Sequence, residues 1–155
     1  MGIEYTAPSQ VDALYTEGVE TLATEEGTFY RAVVNGQVRY AALVAGPGLW
    51  GTIRGIIAVD HQVERIQGFR IITHNETPGL GGRIDEGWFT AQFTGEKIPI
   101  EGIRIRQGSG LGDTDPNNGE LDAVTGASRT SQAVQDIVNR ELSVFLSLRD
   151  KGGLK

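Results

Sequence analysis

A chain of 155 residues, 39% apolar and 22% charged, is the size of one ordinary domain and can bury a core without disulfides or metal. A net charge of −6, with 14 Lys and Arg scattered along the chain, excludes a nucleic-acid binder, which needs a basic stripe. The absence of Cys excludes disulfides, thiolate metal sites and iron–sulfur ligation, and two histidines, His61 and His74, are too few for a metal cluster.

In chain order, Ser9 to Glu25 carries Val11, Leu14, Tyr15, Val19 and Leu22 at helical spacing, which predicts a lead-in helix left before Gly27. Residues 1–27 are thereby set apart from a main domain over 28–155. Met1-Gly2 runs into polar sequence with neither a signal peptide nor an anchor, so the chain as given is expected to be soluble. Thr28 to Val34 reads as a strand, Asn35-Gly36 as a two-residue hairpin turn and Gln37 to Val44 as the return strand. The near-apolar run Tyr40 to Trp50 is broken by Gly46, Pro47 and Gly48 and is far too short to span a bilayer.

Gly46 to Gly51 matches G-x-G-x-x-G, but the β-branched residues after it predict a strand where the dinucleotide fingerprint requires a helix, and that reading is rejected. Trp50 either borders a ligand or packs in a turn. Asp60-His61 predicts a turn and Val63 to His74 a further strand. In Glu76-Thr77-Pro78-Gly79-Leu80-Gly81-Gly82 the Pro-Gly pair makes a turn and two glycines remove side-chain bulk, which suits an exposed turn or a ligand loop equally. Glycine is abundant throughout: 22 residues, about twice the usual share, predict many tight turns or backbone close to a flat ligand.

Asp85 to Phe93 predicts a short helix with Trp88, Phe89 and Phe93 in the core, and Ile103 to Arg106 a strand with one wet face. Gly108 to Glu120 is a polar loop. Its Asp113 to Gly119 begins like a calcium loop, yet the glycine is one place late and Val124 stands where the closing Glu belongs. From Gln132 to Leu148 apolar residues fall at three-and-four spacing, predicting a long amphipathic helix that begins near Ser128. Thr125, Ser128, Thr130 and Ser131 crowd its start, where backbone N–H groups are unpaired and the dipole is positive. Either a hydroxyl caps the helix or an anion binds there, with Gly126 and Ala127 keeping bulk away.

Asp122-Ala123-Val124-Thr125-Gly126-Ala127-Ser128 resembles the Asp-x-x-(Ser/Thr)-Gly-Ala-(Thr/Ser) signature of FMN-binding domains in the C-subunit of the sodium-translocating NADH:quinone reductase and the G-subunit of the related Rnf complex. Three further segments are similar in the same order: Gly48-Leu49-Trp50 with the strand after it, Glu76 to Gly81, and the Trp88 region. The tail after Arg149 is similar to that of the reductase C-subunit in particular. The resemblance runs from about Phe29 to the C-terminus.

It implies an α+β fold in which a twisted, mainly antiparallel sheet is packed by the long C-terminal helix and shorter helices. It implies FMN joined by a phosphoester to Ser128 through a flavin transferase, with Asp122 serving recognition by that enzyme. The hydroxyls of Thr125, Thr130 and Ser131, with Gly126 and Ala127, are then expected to hold the phosphate. Glu76, Thr77, Gly79, Leu80 and Gly81 lie against the ring, Trp50 borders it, and Trp88 is structural. The implied role is an electron carrier without complete turnover alone, working with the other subunits of a bacterial membrane redox complex. The flavin domain is expected on the extracytoplasmic side, and an N-terminal transmembrane helix precedes it in the resembling subunits. The alternative is a soluble FMN-binding electron-transfer or sensory module of another flavoprotein system.

Overall fold

Short turns between alternating apolar and polar residues give a five-stranded antiparallel meander in the computed structural model, which describes residues 18–154. Its strands are β1 (Val19–Thr24), β2 (Gly27–Val34), β3 (Gln37–Pro47), β4 (Thr52–Asp60) and β5 (Ile66–Thr73), each beside its neighbour in sequence. The β2–β3 turn is the expected one. Val34 faces Gln37, and both central residues are left-handed, with φ of 52° at Asn35 and 76° at Gly36, the geometry whose twist matches the strands.

Two boundaries differ from expectation. Val19–Thr24 is an edge strand paired with β2 from Val19↔Ala32 to Thr24↔Gly27, not the end of a helix. Val19 and Leu22 suit either structure, and the ladder to β2 decides. The remainder of the expected helix, Ser9 to Glu17, lies outside the described residues. Likewise β5 starts at Ile66 because Val63 sits in the preceding turn, buried, with φ of 54° and its N–H donated to the Asp60 carbonyl.

The inner face of the sheet carries Phe29, Tyr40, Ala42, Val44, Ile57 and Val59, all buried. Against it lies the long helix, Ser128–Asp150, which presents Val134, Ile137, Val138, Leu142, Phe145 and Leu148. Each such side chain contributes roughly 1.5–3 kcal/mol on full burial. Phe29 and Phe145 meet edge to face at 5.2 Å. The helix crosses β3 so closely that a Cβ on Gly46 would stand 2.5 Å from Ile137 Cγ1. The α+β architecture expected from the sequence is the one observed.

A 3-10 turn (Gly81–Asp85) and α1 (Gly87–Ala91) close one end of the core, and Ser128–Asp150 is therefore α2. Ile84, Phe89 and Phe93 are fully buried there, with Phe93 4.5 Å from the Phe69 ring. Trp88 is only half-buried, in contrast to its expected place in the core. Its indole N–H donates to Glu86 at 2.6 Å and the Arg83 guanidinium lies over its ring at 5.7 Å. Beyond this cap, β6 (Arg104–Arg106) and β7 (Glu120–Asp122) form a parallel pair. Helix side chains serve the other edge of β6: Asn139 exchanges two bonds of 2.9 Å with Ile103, and Gln135 accepts from the Ile105 N–H at 2.6 Å. No helix among the described residues is long and apolar enough to cross a membrane.

Candidate functional site

Three segments far apart in sequence meet at one buried carboxylate. Glu76 is 4% exposed. Its Oε1 accepts from the Leu49 N–H at 2.7 Å and the Thr130 hydroxyl at 2.9 Å, and its Oε2 accepts from the Trp50 N–H at 2.9 Å. The tight turn from Gly48 to Gly51, the glycine loop and the start of α2 are thereby tied together. The fit requires small residues: a Cβ on Gly81 would lie 2.5 Å from Thr130 Oγ1, and one on Gly48 2.7 Å from Glu76 Oε1.

The start of α2 is built without a side-chain cap. Ala127 occupies the cap position, Gly126 is left-handed with φ of 79°, and the Ala127 N–H donates to the Val124 carbonyl at 3.0 Å. Ser131 is fully buried, where its hydroxyl accepts from the Val124 N–H at 3.0 Å and donates to the Ala127 carbonyl at 2.9 Å. Thr130 is committed to Glu76. Neither Thr125 nor Ser128 supplies a cap. Both are exposed, and neither hydroxyl has a hydrogen-bond partner among the described residues. The first N–H groups of the helix, at Ser128, Arg129 and Thr130, take no backbone acceptor, as a first turn requires.

Over these groups opens a cleft of about 350 Å³. Ser128, Gly126, Ala127 and Thr130 form its helix side, Thr77, Leu80 and Gly81 its loop side, and Trp50 its outer wall. Trp50 is 66% exposed, so its indole is free to face a ligand and does not pack in the core. Two lining residues were given no ligand role by the sequence. Leu49 extends the apolar wall, and Arg129 brings a cation that makes no ion pair among the described residues. The chemistry of the lining is an apolar slot ending at a helix N-terminus beside a guanidinium. This fits a flat ring that carries an anionic group.

Other expected site residues lie outside the lining. Glu76 sits beneath the cleft as its tie, and Gly79 turns the loop with φ of 75°. Ser131 is behind the helix start, and Thr125 points away from the lining toward the Gly108–Gly112 loop, where a Cβ on Gly110 would lie 2.7 Å from its hydroxyl. Asp122 braces that same loop, accepting from the Ser109 hydroxyl at 2.7 Å, the Gly110 N–H at 3.1 Å and the Gly112 N–H at 3.3 Å. Buried Gln92 holds β7 in place, accepting from the N–H groups of Asp122 at 2.7 Å and Asp113 at 2.8 Å. Glu96, also buried, accepts from the Gly119 N–H at 2.7 Å.

The sequence profile of the FMN-binding domain matches residues 48–143, a span containing all three segments of the cleft. The C-subunit of the Na(+)-translocating NADH-quinone reductase of Pseudomonas aeruginosa is 30% identical over 144 residues, 85% of this chain and 54% of that protein. The G-subunit of the Na(+)-translocating ferredoxin:NAD(+) oxidoreductase complex of Acetobacterium woodii is 31% identical over 147 residues, 88% of this chain and 68% of that protein. The chain thus spans about half the length of the first relative. The crystal structure of the NADH-quinone reductase C-subunit from Parabacteroides distasonis shares the fold, with a TM-score of 0.77 at 24% identity over 93% of this chain and 84% of that one. With the profile covering more than half of its length, and with such a relative matched over most of it, the chain belongs to the FMN-binding domain family.

Proposed function

We propose that this chain is an electron-carrier domain that holds FMN covalently through Ser128. The observation that carries the reading is the placement of a free, exposed hydroxyl at the first residue of α2, inside the cleft and beside unpaired helix N–H groups and Arg129. In the attachment step the Ser128 Oγ–P bond forms and the hydroxyl proton leaves. A flavin transferase breaks the phosphoanhydride bond of an activated flavin donor, and the other phosphate half of that donor leaves with the electron pair as the hydroxyl proton passes to the transferase or solvent. The N–H groups of the first turn and the Arg129 guanidinium then hold the phosphate, while Trp50, Leu49 and Leu80 flank the ring. Thr130 and Ser131 act indirectly, by fixing the helix start.

The bound flavin supplies the electron transfer, and the protein sets its orientation and solvent access. A tether abolishes cofactor loss and keeps the flavin at high effective concentration beside the next redox centre. The partners proposed are the other subunits of a bacterial membrane redox complex of the NADH:quinone reductase or ferredoxin:NAD(+) type, with this domain on the extracytoplasmic side. The names and alignments of the two relatives support the choice of complex.

The test is intact mass and visible spectrum after co-expression with a flavin transferase, for the native chain and Ser128→Ala. The native chain gains one FMN and stays yellow after denaturation, and the variant does neither. Labelling of the variant would move the acceptor, with exposed Thr125 the next hydroxyl to replace. A native chain never labelled would overturn the tether.

A further inference from the structure

Glu76 is held at both ends. Its carboxylate ties the three segments of the cleft, and its backbone N–H donates to His74 Nδ1 at 3.1 Å. A neutral imidazole that accepts at Nδ1 carries its proton at Nε2, and that nitrogen lies 2.8 Å from Asp85 Oδ2 in the 3-10 turn. Both ring nitrogens are thus in use, and the side chain is only 16% exposed. The loop that follows is tied to itself, for the Thr77 carbonyl accepts from the Leu80 N–H at 3.1 Å and the Gly82 N–H at 2.9 Å. Its far end rests on the same ring, since a Cβ on Gly82 would lie 3.3 Å from His74 Cε1. The loop is one unit with the imidazole under both of its ends.

The chemistry of the ring makes this support conditional. Neutral His74 has one free lone pair, at Nδ1, and the Glu76 N–H occupies it. A proton added to the ring enters there and sets an N–H against an N–H, so the charged ring cannot hold Glu76. The imidazolium keeps its bond to Asp85 and stays on the 3-10 turn. The other charged groups on the elements around the ring do not replace it. Arg83 and Glu86 pair with each other at 3.2 Å, and the Glu76 carboxylate is turned to its own three donors. Arg54 of β4, opposite Thr73 in the register, is exposed.

We infer that neutral His74, with its tautomer set by Asp85, is the positioning residue of the cleft: it holds the Glu76 N–H, and charging it loosens the walls formed by Leu49, Trp50 and Leu80. The consequence for flavin rests on the proposed function, whereas the hydrogen bonds do not.

The test uses the full chain. His61→Gln leaves His74 as its only imidazole, and nitrogen NMR reads the two ring atoms. At about pH 8 the expected signature is a bare Nδ1 and a protonated Nε2, and a proton at Nδ1 instead would overturn the inference. From about pH 8 to about pH 5, the range in which imidazoles charge, hydrogen-exchange protection corrected for the intrinsic rate should fall about fivefold at Glu76, Leu49 and Trp50 together, roughly the factor one hydrogen bond supplies. Amides inside β3 and β4 report that the fold is intact, and burial of Glu96 acts with the opposite sign, giving a stability that grows as pH falls. His74→Asn keeps an acceptor for the N–H two residues on, as in an Asx turn, and cannot charge. Its protection should be native and flat with pH, whereas His74→Ala should show the low value throughout. A native fall that spares Leu49 and Trp50, or an equal fall in His74→Asn, would overturn the inference. With flavin transferase present, the ratio of native to His74→Asn labelling rates should drop over the same range, and a constant ratio would overturn the link to the site. A chain never labelled would remove the tether alone, because the ring and amide profiles decide the role of His74 without flavin.

Discussion

Glu76→Gln tests whether one carboxylate assembles the cleft. In the native chain its two oxygens satisfy three donors, at Leu49, Trp50 and Thr130. Glutamine keeps one carbonyl oxygen, enough for Leu49 and Thr130, and turns an NH₂ toward the Trp50 N–H. One charge-assisted bond is lost and a buried donor is left facing a donor, which costs roughly 1.5–3 kcal/mol. Glu76→Ala, which strands all three donors, costs more, about 3–5 kcal/mol. The assay is urea unfolding, in which the midpoint falls while the slope stays constant. Thr130→Val removes one donor only, and in a double-mutant cycle with Glu76→Gln the two changes are less than additive because they share a bond. A Glu76→Gln chain within about 0.5 kcal/mol of native, or strict additivity with Thr130→Val, would show that the segments converge without the carboxylate.

Three further outcomes are expected. Burial, with Asp113 and Asp115 adding to it, pushes the Glu96 carboxyl from 4.5 up to about 7, so the folded chain holds a proton that the unfolded chain releases first. Its contribution to stability is whole below about pH 4.5 and is lost as pH rises through 7. The urea midpoint should therefore fall from pH 5 to pH 8 in the native chain and flatten in Glu96→Gln, and an unchanged slope in that variant would be the refutation. Gly81→Ala forces a methyl against Thr130 and should cost roughly 1–3 kcal/mol by overpacking, with part of the loss recovered when Thr130→Ala is added. Asp122→Asn should release the Gly108–Gly112 loop, seen as faster hydrogen exchange at the Gly110 and Gly112 amides, and unchanged protection there would count against the brace.

What was legible in the sequence was what short-range chemistry decides. Asn35-Gly36 specifies its hairpin because both residues tolerate a left-handed backbone, and α2 announces itself because its buried stripe repeats over 23 residues. Val19 to Thr24 was illegible because two apolar residues three apart fit a half-exposed edge strand as well as a helix, and only pairing with β2 separates them. At the site, the motifs located the segments but not the division of labour inside them. Ser131 and Thr130 looked like further phosphate ligands, yet one is turned inward to Val124 and the other to Glu76. Asp122, Gln92 and Glu96 hold loops through contacts spanning 10 to 30 residues, which no local pattern encodes.

The same contrast in range sets an order of assembly. Neighbouring strands of the meander are neighbours in sequence, so their hairpins close small loops and form early. The bonds at Glu76 close loops of 26, 27 and 54 residues, and the longest of them, to Thr130, needs α2 in place. In pulsed hydrogen exchange during refolding, amides inside β2 to β4 should gain protection before those of Leu49 and Trp50. The complete cleft is then expected after the meander, not with it. On the proposed attachment at Ser128, an enzyme that recognises the cleft would act only on finished chains, and a modified Ser128 would record that folding was completed.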